Sequence, residues 1–432
     1  MPFTNELKTF WQALENELFE DILPFHIAHM IDVEQGGFYG AIRNDLEISH
    51  AADKGVIQCS RILWTYAHAY GLFGLEAHLQ LARYAYAYLI EYFWDPQHGG
   101  LYWFLGCDGV PKDTGKLIYA QVYGIYALAE YYRSCGVVAS LETAKKLWVS
   151  EISQGKAQIW GCGGCETPAT PPNLGTSTQS LKEPKLFYLI EEYAALNESG
   201  GYIDACKRDF QLDLSRNVDT IDFSAAFSMN THLHLLEAYA NLLLVWPDQR
   251  LRGQLRKLIM LHIERIYDAQ NHHLLLHFGA EWQPLNDLIS YGHDIEASWL
   301  LWEASGLLED PSLLARVRPV TLKLAETVLY ESFDHQAGGI FDERHPGNDV
   351  EDRKGWWAQA EALIGFFNAY QISGDEAYLD AVLQTWQFIE NHIIDHQYGE
   401  WFWGVNRQNR VLNDEKAGMW KTPYHTAALA WN

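Results

Sequence analysis

A short glycine-led phrase returns along the chain and constrains the fold more than any other feature. Four copies have two glycines followed by aromatic or aliphatic residues, and two further copies are weaker. The copies are Gly36-Gly37-Phe38-Tyr39, Gly99-Gly100-Leu101-Tyr102, Gly200-Gly201-Tyr202-Ile203, His273-Leu274-Leu275-Leu276, Gly338-Gly339-Ile340-Phe341 and Gly399-Glu400-Trp401-Phe402. Their starts are spaced by 63, 101, about 73, about 65 and 61 residues. A near-constant period of this kind indicates a repeated supersecondary unit.

Long amphipathic helices are predicted between these phrases, whereas strand-like alternation is rare. A helix rises about 1.5 Å per residue, so roughly 60 residues hold two helices of about four turns and a short extended hairpin. The clearest helices are Leu7 to Ile22, Val56 to Leu72, Leu75 to Phe93, Leu117 to Tyr132, Met229 to Val245 and Trp357 to Tyr370. Six such units in a ring predict an all-α (α/α)6 barrel, with chemistry on its inner helices and the glycine phrases rimming one mouth.

The interval of 101 residues is too long, and its cause is an irregular stretch. Trp148 to Pro184 is rich in glycine and proline and has little periodicity. We therefore predict one barrel domain over residues 1–432, with an irregular insert at 147–185. At the other end, only Thr426 to Asn432 follow His425. We expect these residues to be too few for a last barrel helix, because an unsupported helix this short is marginal.

Composition restricts the class of partner. The 31 basic and 56 acidic residues give a formal charge of −25, which repels nucleic acid and anionic membranes and favours a neutral substrate. No apolar run approaches the roughly 20 residues that a membrane span needs, and the first residues lack a signal-peptide pattern, so we expect a cytosolic protein. The sequence does not distinguish a monomer from a homodimer.

Six cysteines spread over 432 residues predict reduced thiols rather than a disulfide framework. Cys162 and Cys165 form a lone C-x-x-C that lacks the second pair of a zinc site, and we interpret it as incidental. The chain contains 17 Trp and 24 Tyr. Aromatic rings of this kind fill helical cores and also stack on the apolar faces of sugars.

The strongest candidate site lies in Ser290-Tyr291-Gly292-His293-Asp294-Ile295-Glu296-Ala297-Ser298-Trp299, where a turn enters an apolar helix. Residues three apart share a helix face, so His293 and Glu296 should point the same way. The alternative is a polar pair that the backbone satisfies at a helix start. Three titratable groups at the mouth of an apolar helix favour function. A second site-like stretch is Trp420-Lys421-Thr422-Pro423-Tyr424-His425, and we expect His293 and His425 to face one pocket.

A third candidate begins another helix. Asn230 and His234 are four residues apart and share a face, although Asn230 is also a possible N-cap. His232 lies about 200° round the helix from His234, so these two histidines cannot ligate one metal as neighbours. A metal site built from His234, His293 and Glu296 remains open as a minor alternative.

Arg61 stands among apolar and aromatic residues and therefore needs a partner or a ligand. The alternative to a ligand is a buried ion pair, for which Glu361 is the candidate. Trp357 and Glu361 lie one turn apart on a shared helix face, directly after Trp356. Core packing and sugar stacking are both open for the two tryptophans.

At these residues the sequence resembles the N-acylglucosamine 2-epimerase superfamily, and within it the cellobiose 2-epimerases most closely. The resemblance runs from about Leu7 to His425, apart from the insert. It rests on Arg61-Ile62-Leu63-Trp64, Tyr119-Ala120-Gln121, Ser228-Met229-Asn230-Thr231-His232-Leu233-His234, Gly292-His293-Asp294-Ile295-Glu296-Ala297-Ser298-Trp299, Trp356-Trp357-x-Gln359-Ala360-Glu361-Ala362 and Trp420-Lys421-x-Pro423-Tyr424-His425. The fold of that family is the (α/α)6 barrel.

The resemblance implies roles for these positions and chemistry without a metal or redox cofactor. His293 and His425 would be the paired general acid and base. Arg61, Asn230 and His234 would hold and polarise the C1 oxygen, and Glu296 would orient or tune the histidines. The sugar-binding candidates are Tyr119, Trp356, Trp357, Glu361 and Trp420. Two departures from the family pattern are the insert and the absence of the helix that usually follows the last histidine.

The residues suit inversion at C2 of an aldose. Epimerisation removes a proton from one face of a planar enediolate and returns one to the other, and two histidines with pKa near 7 are a simple way to do so. The form of the histidine motif favours β-1,4-linked disaccharides over free mannose or an N-acyl hexosamine, with isomerisation to the ketose as a side reaction. Two other classes remain open. A glycoside hydrolase would depend on two carboxylates, for which Glu296 and Glu361 are candidates, and a sugar-binding protein would show no turnover.

Overall fold

The computed structural model describes residues 5–148, 190–191, 195–196, 200–213, 215–216, 225–347 and 349–428. Most of the predicted insert at 147–185, with Cys162 and Cys165, lies outside the described residues. Leu147 and Trp148 are described, and they are buried at the end of a helix that therefore runs two residues into the predicted insert. Cys59, Cys107, Cys135 and Cys206 are free thiols, as predicted.

The described chain is mainly helical. Its helices are α1 (Asn5–Asn16), α2 (Leu23–His29), α3 (Val56–Phe73), α4 (Glu76–Tyr88), α5 (Ile118–Cys135), α6 (Val138–Trp148), α7 (Met229–Val245), α8 (Gln249–Leu261), α9 (Tyr291–Gly306), α10 (Pro311–Glu331), α11 (Trp356–Ser373), α12 (Glu376–Phe388) and α13 (Tyr424–Ala428). A short π-helical segment, Glu17–Ile22, lies between α1 and α2, and others follow α4, α8 and α12 at Leu89–Phe93, His262–Ile266 and Ile389–Ile393. Within the described residues, no helix has the length and apolarity that a membrane crossing requires.

The odd-numbered helices from α3 onward form a closed inner ring. Each packs on the next in the order α3, α5, α7, α9, α11 and α13, and α13 packs back on α3. The outer helices α4, α6, α8, α10 and α12 pack mainly on the inner helix that precedes each of them. This arrangement is the (α/α)6 barrel that the repeat predicts, and the long helices agree with their predicted spans to within a few residues.

The inner helices turn sharply into the outer ones because of their terminal residues. Gly74, Gly136 and Gly374 end α3, α5 and α11 with φ of 66°, 69° and 75°, the left-handed conformation that glycine adopts readily. Three outer helices then begin on aspartate caps whose carboxylates accept backbone N–H groups. These caps are Asp248, Asp310 and Asp375.

Short strands gather at the end of the barrel where the inner helices begin. They are β1 (Ala41–Ile42), β2 (Lys54–Gly55), β3 (Phe104–Leu105), β4 (Pro111–Asp113), β5 (Lys116–Leu117), β6 (Ala195–Leu196), β7 (Gly201–Tyr202), β8 (Ala205–Cys206), β9 (Phe227–Ser228), β10 (Tyr267–Asp268), β11 (His273–Leu274), β12 (His277–Phe278), β13 (Ile289–Ser290), β14 (Glu343–His345), β15 (Asp349–Val350), β16 (Arg353–Gly355), β17 (Gly404–Asn406) and β18 (Ala417–Gly418). All pairing is antiparallel, and β1 pairs with β18 to link the first and last repeats.

Each glycine phrase forms the predicted hairpin. In four copies an aspartate begins the turn and meets a buried lysine. We call these pairs the lysine clamps. The distances from lysine Nζ to carboxylate oxygen are 2.6 Å for Lys54 and Asp32, 3.2 Å for Lys116 and Asp95, 2.8 Å for Lys354 and Asp334, and 2.5 Å for Lys416 and Asp395. Three of the lysines come just before the next inner helix, and Lys416 comes just before β18. The clamps tie these four hairpins to the segments that follow them.

The last helix differs from expectation. A five-residue helix, α13, occupies the sixth place in the ring, although we expected the residues after His425 to be too few. The physical reason is support, because α13 packs between α11 and α3 and also contacts Glu17–Ile22. Tertiary packing stabilises a turn that would be marginal alone.

Candidate active site

The predicted site residues lie together at the mouth where the inner helices begin. All are on inner helices except Trp420, which comes shortly before α13. They are Arg61 on α3, Tyr119 on α5, Asn230 and His234 on α7, His293 and Glu296 on α9, Trp356, Trp357 and Glu361 on α11, and His425 on α13. Helices in one ring that begin at one mouth bring together residues far apart in sequence.

His425 is held from behind by a buried acid. Its Nδ1 lies 2.7 Å from Oε1 of Glu361, and the other oxygen of that carboxyl accepts a hydrogen bond of 2.8 Å from Nε1 of Trp299. Burial raises the pKa of Glu361 to about 8, and burial together with the Arg61 charge lowers the pKa of His425 well below its ordinary value.

Glu296 joins this pair. One ligand atom from each of Glu296, Glu361 and His425 lies within 4.8 Å of the others. Burial and the neighbouring Glu361 raise the pKa of Glu296 well above its ordinary value. Two adjacent carboxyl groups that both keep their protons do not supply the ionised carboxylate of a glycoside hydrolase, which disfavours that alternative.

Arg61 binds oxygens of three residues in the described part of the chain, and Glu361 is not one of them. Its Nη1 donates to the carbonyl of Trp420 at 2.9 Å, and its Nη2 donates to the hydroxyls of Tyr123 at 2.7 Å and Tyr119 at 3.3 Å. The guanidinium carbon also lies 4.6 Å from the ring centroid of Tyr123. The arginine thus places a positive charge beside the site while it links α3 to α5 and to the segment before α13.

His234 belongs to a second hydrogen-bonded set. Its Nδ1 lies 2.9 Å from Oε2 of Glu237 and 3.1 Å from the hydroxyl of Tyr123. The hydroxyl of Tyr424 donates to the other oxygen of Glu237. Because Tyr123 also accepts from Arg61, one hydroxyl connects the guanidinium to the imidazole.

His293 and His425 both contact Trp357. The Nδ1 of His293 lies 2.7 Å from Oγ of Ser290, and its ring centroid is 4.8 Å from that of Trp357. The same tryptophan ring is 5.8 Å from the ring of His425. Two imidazoles from different helices therefore lie close to one indole at the barrel mouth.

Three neighbouring polar residues have structural roles instead. Asp294 turns to the fourth hairpin, where its carboxylate lies 2.8 Å from Nδ1 of His273 and accepts the backbone N–H of Leu274. His232 lies between the carbonyl of Ser228 and the backbone N–H of Tyr202. The N-cap of α7 is Ser228 rather than Asn230, so the capping alternative for Asn230 is wrong.

The two adjacent tryptophans are placed differently. Trp357 contacts both histidines, as described above, whereas Trp356 is 3% exposed and packs on Trp403 with ring centroids 4.6 Å apart. Core packing is therefore the better description of Trp356. The ring centroid of Trp420 lies 6.0 Å from that of Tyr119 and 6.1 Å from that of Trp103, and the ring of Tyr119 lies 5.2 Å from that of His234. We call the rings of Tyr119, Trp103 and Trp420 the aromatic wall.

The alternative metal site from His234, His293 and Glu296 is not among the potential ligand groups that the described residues bring together. The group that does form, Glu296 with Glu361 and His425, is buried beside Arg61. Carboxyl groups that hold their protons next to a fixed positive charge are poor ligands for a divalent cation.

Several site residues were missed from the sequence. Tyr123, Glu237, Trp299 and Tyr424 each bond or contact a predicted residue directly. Glu237 follows His234 by three residues and Tyr123 follows Tyr119 by four, so a search along the shared helix faces would have found both.

Comparison with known proteins gives one consistent result. A sequence model described as N-acylglucosamine 2-epimerase (GlcNAc 2-epimerase) matches residues 37–161 and 192–428. The cellobiose 2-epimerase of Bacteroides fragilis is 37% identical over 420 residues, with 97% of each chain covered. The human N-acylglucosamine 2-epimerase is 25% identical, with 96% of this chain and 87% of that protein covered. The solved cellobiose 2-epimerase of Bacillus thermoamylovorans superposes with a TM-score of 0.84, at 34% identity and 98% coverage of both chains.

Proposed function

Because the chain belongs to the N-acylglucosamine 2-epimerase family and is a sugar 2-epimerase, we propose that it inverts C2 of the reducing-end glucose in a β-1,4-linked disaccharide such as cellobiose. The product is the corresponding glucosyl-mannose, and the reaction runs in both directions.

The observation that carries the proposal is that two histidines from different helices, His293 and His425, contact the same indole of Trp357. Inversion at C2 needs proton donors and acceptors on both faces of a planar intermediate. His293 and His425 come from different helices and meet at one mouth, so each serves one face. A single base would have to move across the sugar between the two steps.

The reaction begins with opening of the sugar ring, because only the open aldehyde makes the C2 proton acidic. One histidine takes the C2 proton, and the electron pair of that C–H bond moves into a C1–C2 double bond while O1 gains negative charge. The opposite histidine then returns a proton to the other face of C2, and the aldehyde re-forms. No net proton or electron is consumed, and the protonated histidine exchanges with solvent before the next turnover.

Glu361 prepares His425 for this work. When Glu361 is ionised, its carboxylate accepts the Nδ1–H of neutral His425, and the ring presents a lone pair on Nε2 towards the sugar. Burial lowers the pKa of His425, which favours the neutral, basic imidazole. The raised pKa of Glu296 favours its uncharged form, which adds no second negative charge beside the imidazole.

Arg61 and His234 stabilise the oxygen that gains charge. The shared hydroxyl of Tyr123 joins the two groups, and Tyr119 presents a second hydroxyl bound to Arg61. Donors fixed before the reaction at a developing oxyanion contribute about 3 to 4 kcal/mol each in well-studied enzymes. We assign Asn230, near the start of α7, to a neighbouring hydroxyl of the sugar.

Two features support a disaccharide over a single sugar. The relatives that are named for cellobiose match this chain more strongly than those named for N-acylglucosamine. The aromatic wall of Tyr119, Trp103 and Trp420 offers a stacking surface beside the histidines for a second sugar ring.

The test is proton NMR of cellobiose with purified protein in D2O. We expect deuterium to enter C2 while mannose-type anomeric signals grow, and both should be absent with a double His293→Asn, His425→Asn variant. Activity on N-acetylglucosamine alone would contradict the disaccharide assignment, and activity on free mannose alone would place the chain with single-sugar enzymes.

A further inference from the structure

The last glycine phrase departs from the repeat at its second position. Glu400 stands where the other copies have Gly37, Gly100 and Gly339, whose φ angles are 70°, 71° and 73°. The backbone of Glu400 keeps the same left-handed conformation, with φ of 59°. A residue that carries a Cβ atom is strained in the left-handed region. Such strain persists where the surrounding structure holds the residue in this conformation.

At two of the equivalent positions an added side chain would force its neighbours to shift. A Cβ at Gly37 would lie 2.4 Å from the ring of Tyr88, and one at Gly339 would lie 2.5 Å from Oε1 of Gln359. The last copy accommodates the side chain of Glu400, whose backbone N–H donates a 2.8 Å hydrogen bond to the carboxylate of Asp21. The hairpin of the last copy therefore differs from the others at this position, where it accommodates a glutamate.

The carboxylate of Glu400 forms an ion pair with Lys421, and both side chains are 0% exposed. The lysine Nζ also lies 5.6 Å from the ring centroid of Trp356. Burial lowers the pKa of Lys421 well below its ordinary value, and the nearby charge of Asp21 opposes this shift. Burying such a pair is costly, and its presence calls for a reason other than stability.

Stability of the hairpin does not supply that reason. The lysine clamp of the same copy, Lys416 with Asp395, already joins the hairpin to the strand before α13. Glu400 and Lys421 therefore form a second pair in the one copy that leads to His425.

Lys421 lies inside the segment that builds the site. The residue before it, Trp420, accepts the hydrogen bond from Arg61, and the carbonyl of Lys421 accepts the backbone N–H of Gly418 at 3.0 Å. Four residues later His425 contacts Glu361. An anchor at Lys421 therefore fixes the start of a short stretch whose other end carries the imidazole.

We propose that Glu400 is a positioning residue for His425, acting through its buried ion pair with Lys421, and that this role is why the last copy has lost its glycine. The pair holds the Trp420–His425 segment in the one placement in which Arg61 reaches the Trp420 carbonyl and His425 reaches Glu361. The inference rests on the proposed function for its kinetic consequence.

The test is the double variant E400G/K421M. It restores the repeat glycine and removes both charges together, so no unpaired buried charge remains. We expect a melting temperature within a few degrees of the parent, a kcat on cellobiose at least tenfold lower, and a KM within threefold. The matched control is D32N/K54M, which disrupts the clamp of the first copy and should lower the melting temperature while leaving kcat within twofold.

A readout independent of turnover separates this inference from the proposed function. The imidazole NMR signals of His425, assigned by comparison with His425→Asn, should shift in E400G/K421M and stay in place in D32N/K54M. If the parent turns over no sugar, the proposed function fails and these signals still decide the inference.

A second variant covers the case in which the double variant does not fold. E400Q keeps the volume of the side chain and weakens the pair, and the same loss of kcat and shift of the His425 signals are expected. A folded E400G/K421M or E400Q protein with parental kcat and unshifted His425 signals would overturn the proposal.

Discussion

The indole of Trp299 donates a hydrogen bond of 2.8 Å to Glu361, and the opposite oxygen of that carboxyl lies 2.7 Å from His425. The bond lowers the pKa of Glu361 against the larger effect of burial. Its position fixes which carboxyl oxygen faces the histidine.

Replacing Trp299 with Phe tests this arrangement. The variant keeps a ring but leaves a buried carboxyl oxygen unsatisfied, which costs about 1 to 3 kcal/mol. We expect kcat to fall about tenfold, in line with roughly 1.4 kcal/mol lost from transition-state stabilisation. Steady-state kinetics with the Trp302→Phe variant as control checks this, since Trp302 lies one turn along α9; equal losses in both variants would refute a specific role for the hydrogen bond.

Replacing His293 and His425 one at a time should show that each histidine serves a different epimer. In a two-base mechanism, a variant that lacks one base still exchanges the C2 proton of the epimer served by the other. We expect His293→Asn and His425→Asn each to incorporate deuterium into only one of cellobiose and glucosyl-mannose, with opposite preferences, while epimerisation falls by about 100-fold or more. Exchange from both epimers in either variant would point to a single base.

Replacing Gly292 with alanine tests whether catalysis depends on the position of the Trp357 indole. A Cβ there would lie 2.4 Å from Cη2 of Trp357, and the ring can move because it is the far end of a side chain. Alanine also favours a helix by about 1 kcal/mol over glycine, so Gly292→Ala should keep or raise the melting temperature while kcat/KM falls at least tenfold. Gly306→Ala on the same helix, where no atom lies within 4 Å of the added Cβ, is the control.

Acid sensitivity should arise partly from buried histidines far from the site. Burial lowers the pKa of His262 to about 4, although its bond to the Leu258 carbonyl opposes the shift. Between about pH 6.5 and pH 4 the unfolded chain binds a proton there that the folded protein does not. Stability therefore falls as the pH falls through this window, by up to roughly 1.4 kcal/mol per unit.

His262→Phe removes that titration. At pH 7 the variant should melt slightly below the parent, because it loses the 2.7 Å contact with the Leu258 carbonyl. The deficit should shrink as the pH falls and reverse near pH 4.5, as measured by paired melting curves. A constant deficit at every pH would show that His262 does not titrate in this way.

The repeat and the helices could be predicted because both are written in local sequence. Glycine phrases mark hairpins, and apolar spacing marks helices, so Val56–Phe73 and Met229–Val245 were predicted almost to the residue. His234 on α7 and His293 on α9 also lie at the same mouth. The insert at 147–185 stays a prediction, since most of it lies outside the described residues.

What was missed depends on contacts between distant segments. A lysine such as Lys354, just before an apolar helix, has the sequence appearance of a solvated residue, yet it is 0% exposed because Asp334 comes from the preceding hairpin. The ion pair anticipated between Arg61 and Glu361 is replaced by tyrosine and backbone oxygens. A local sequence pattern does not indicate which distant residue a buried side chain will contact.

Ring closure also bears on how the protein is made. Arg61 binds the carbonyl of Trp420, 359 residues away, and strand β1 pairs with β18. A nascent chain that has not yet delivered β18 and α13 cannot close this ring, so inner helix faces that the folded protein buries stay exposed until the end of synthesis. Exposed apolar surface of this kind is what chaperones bind.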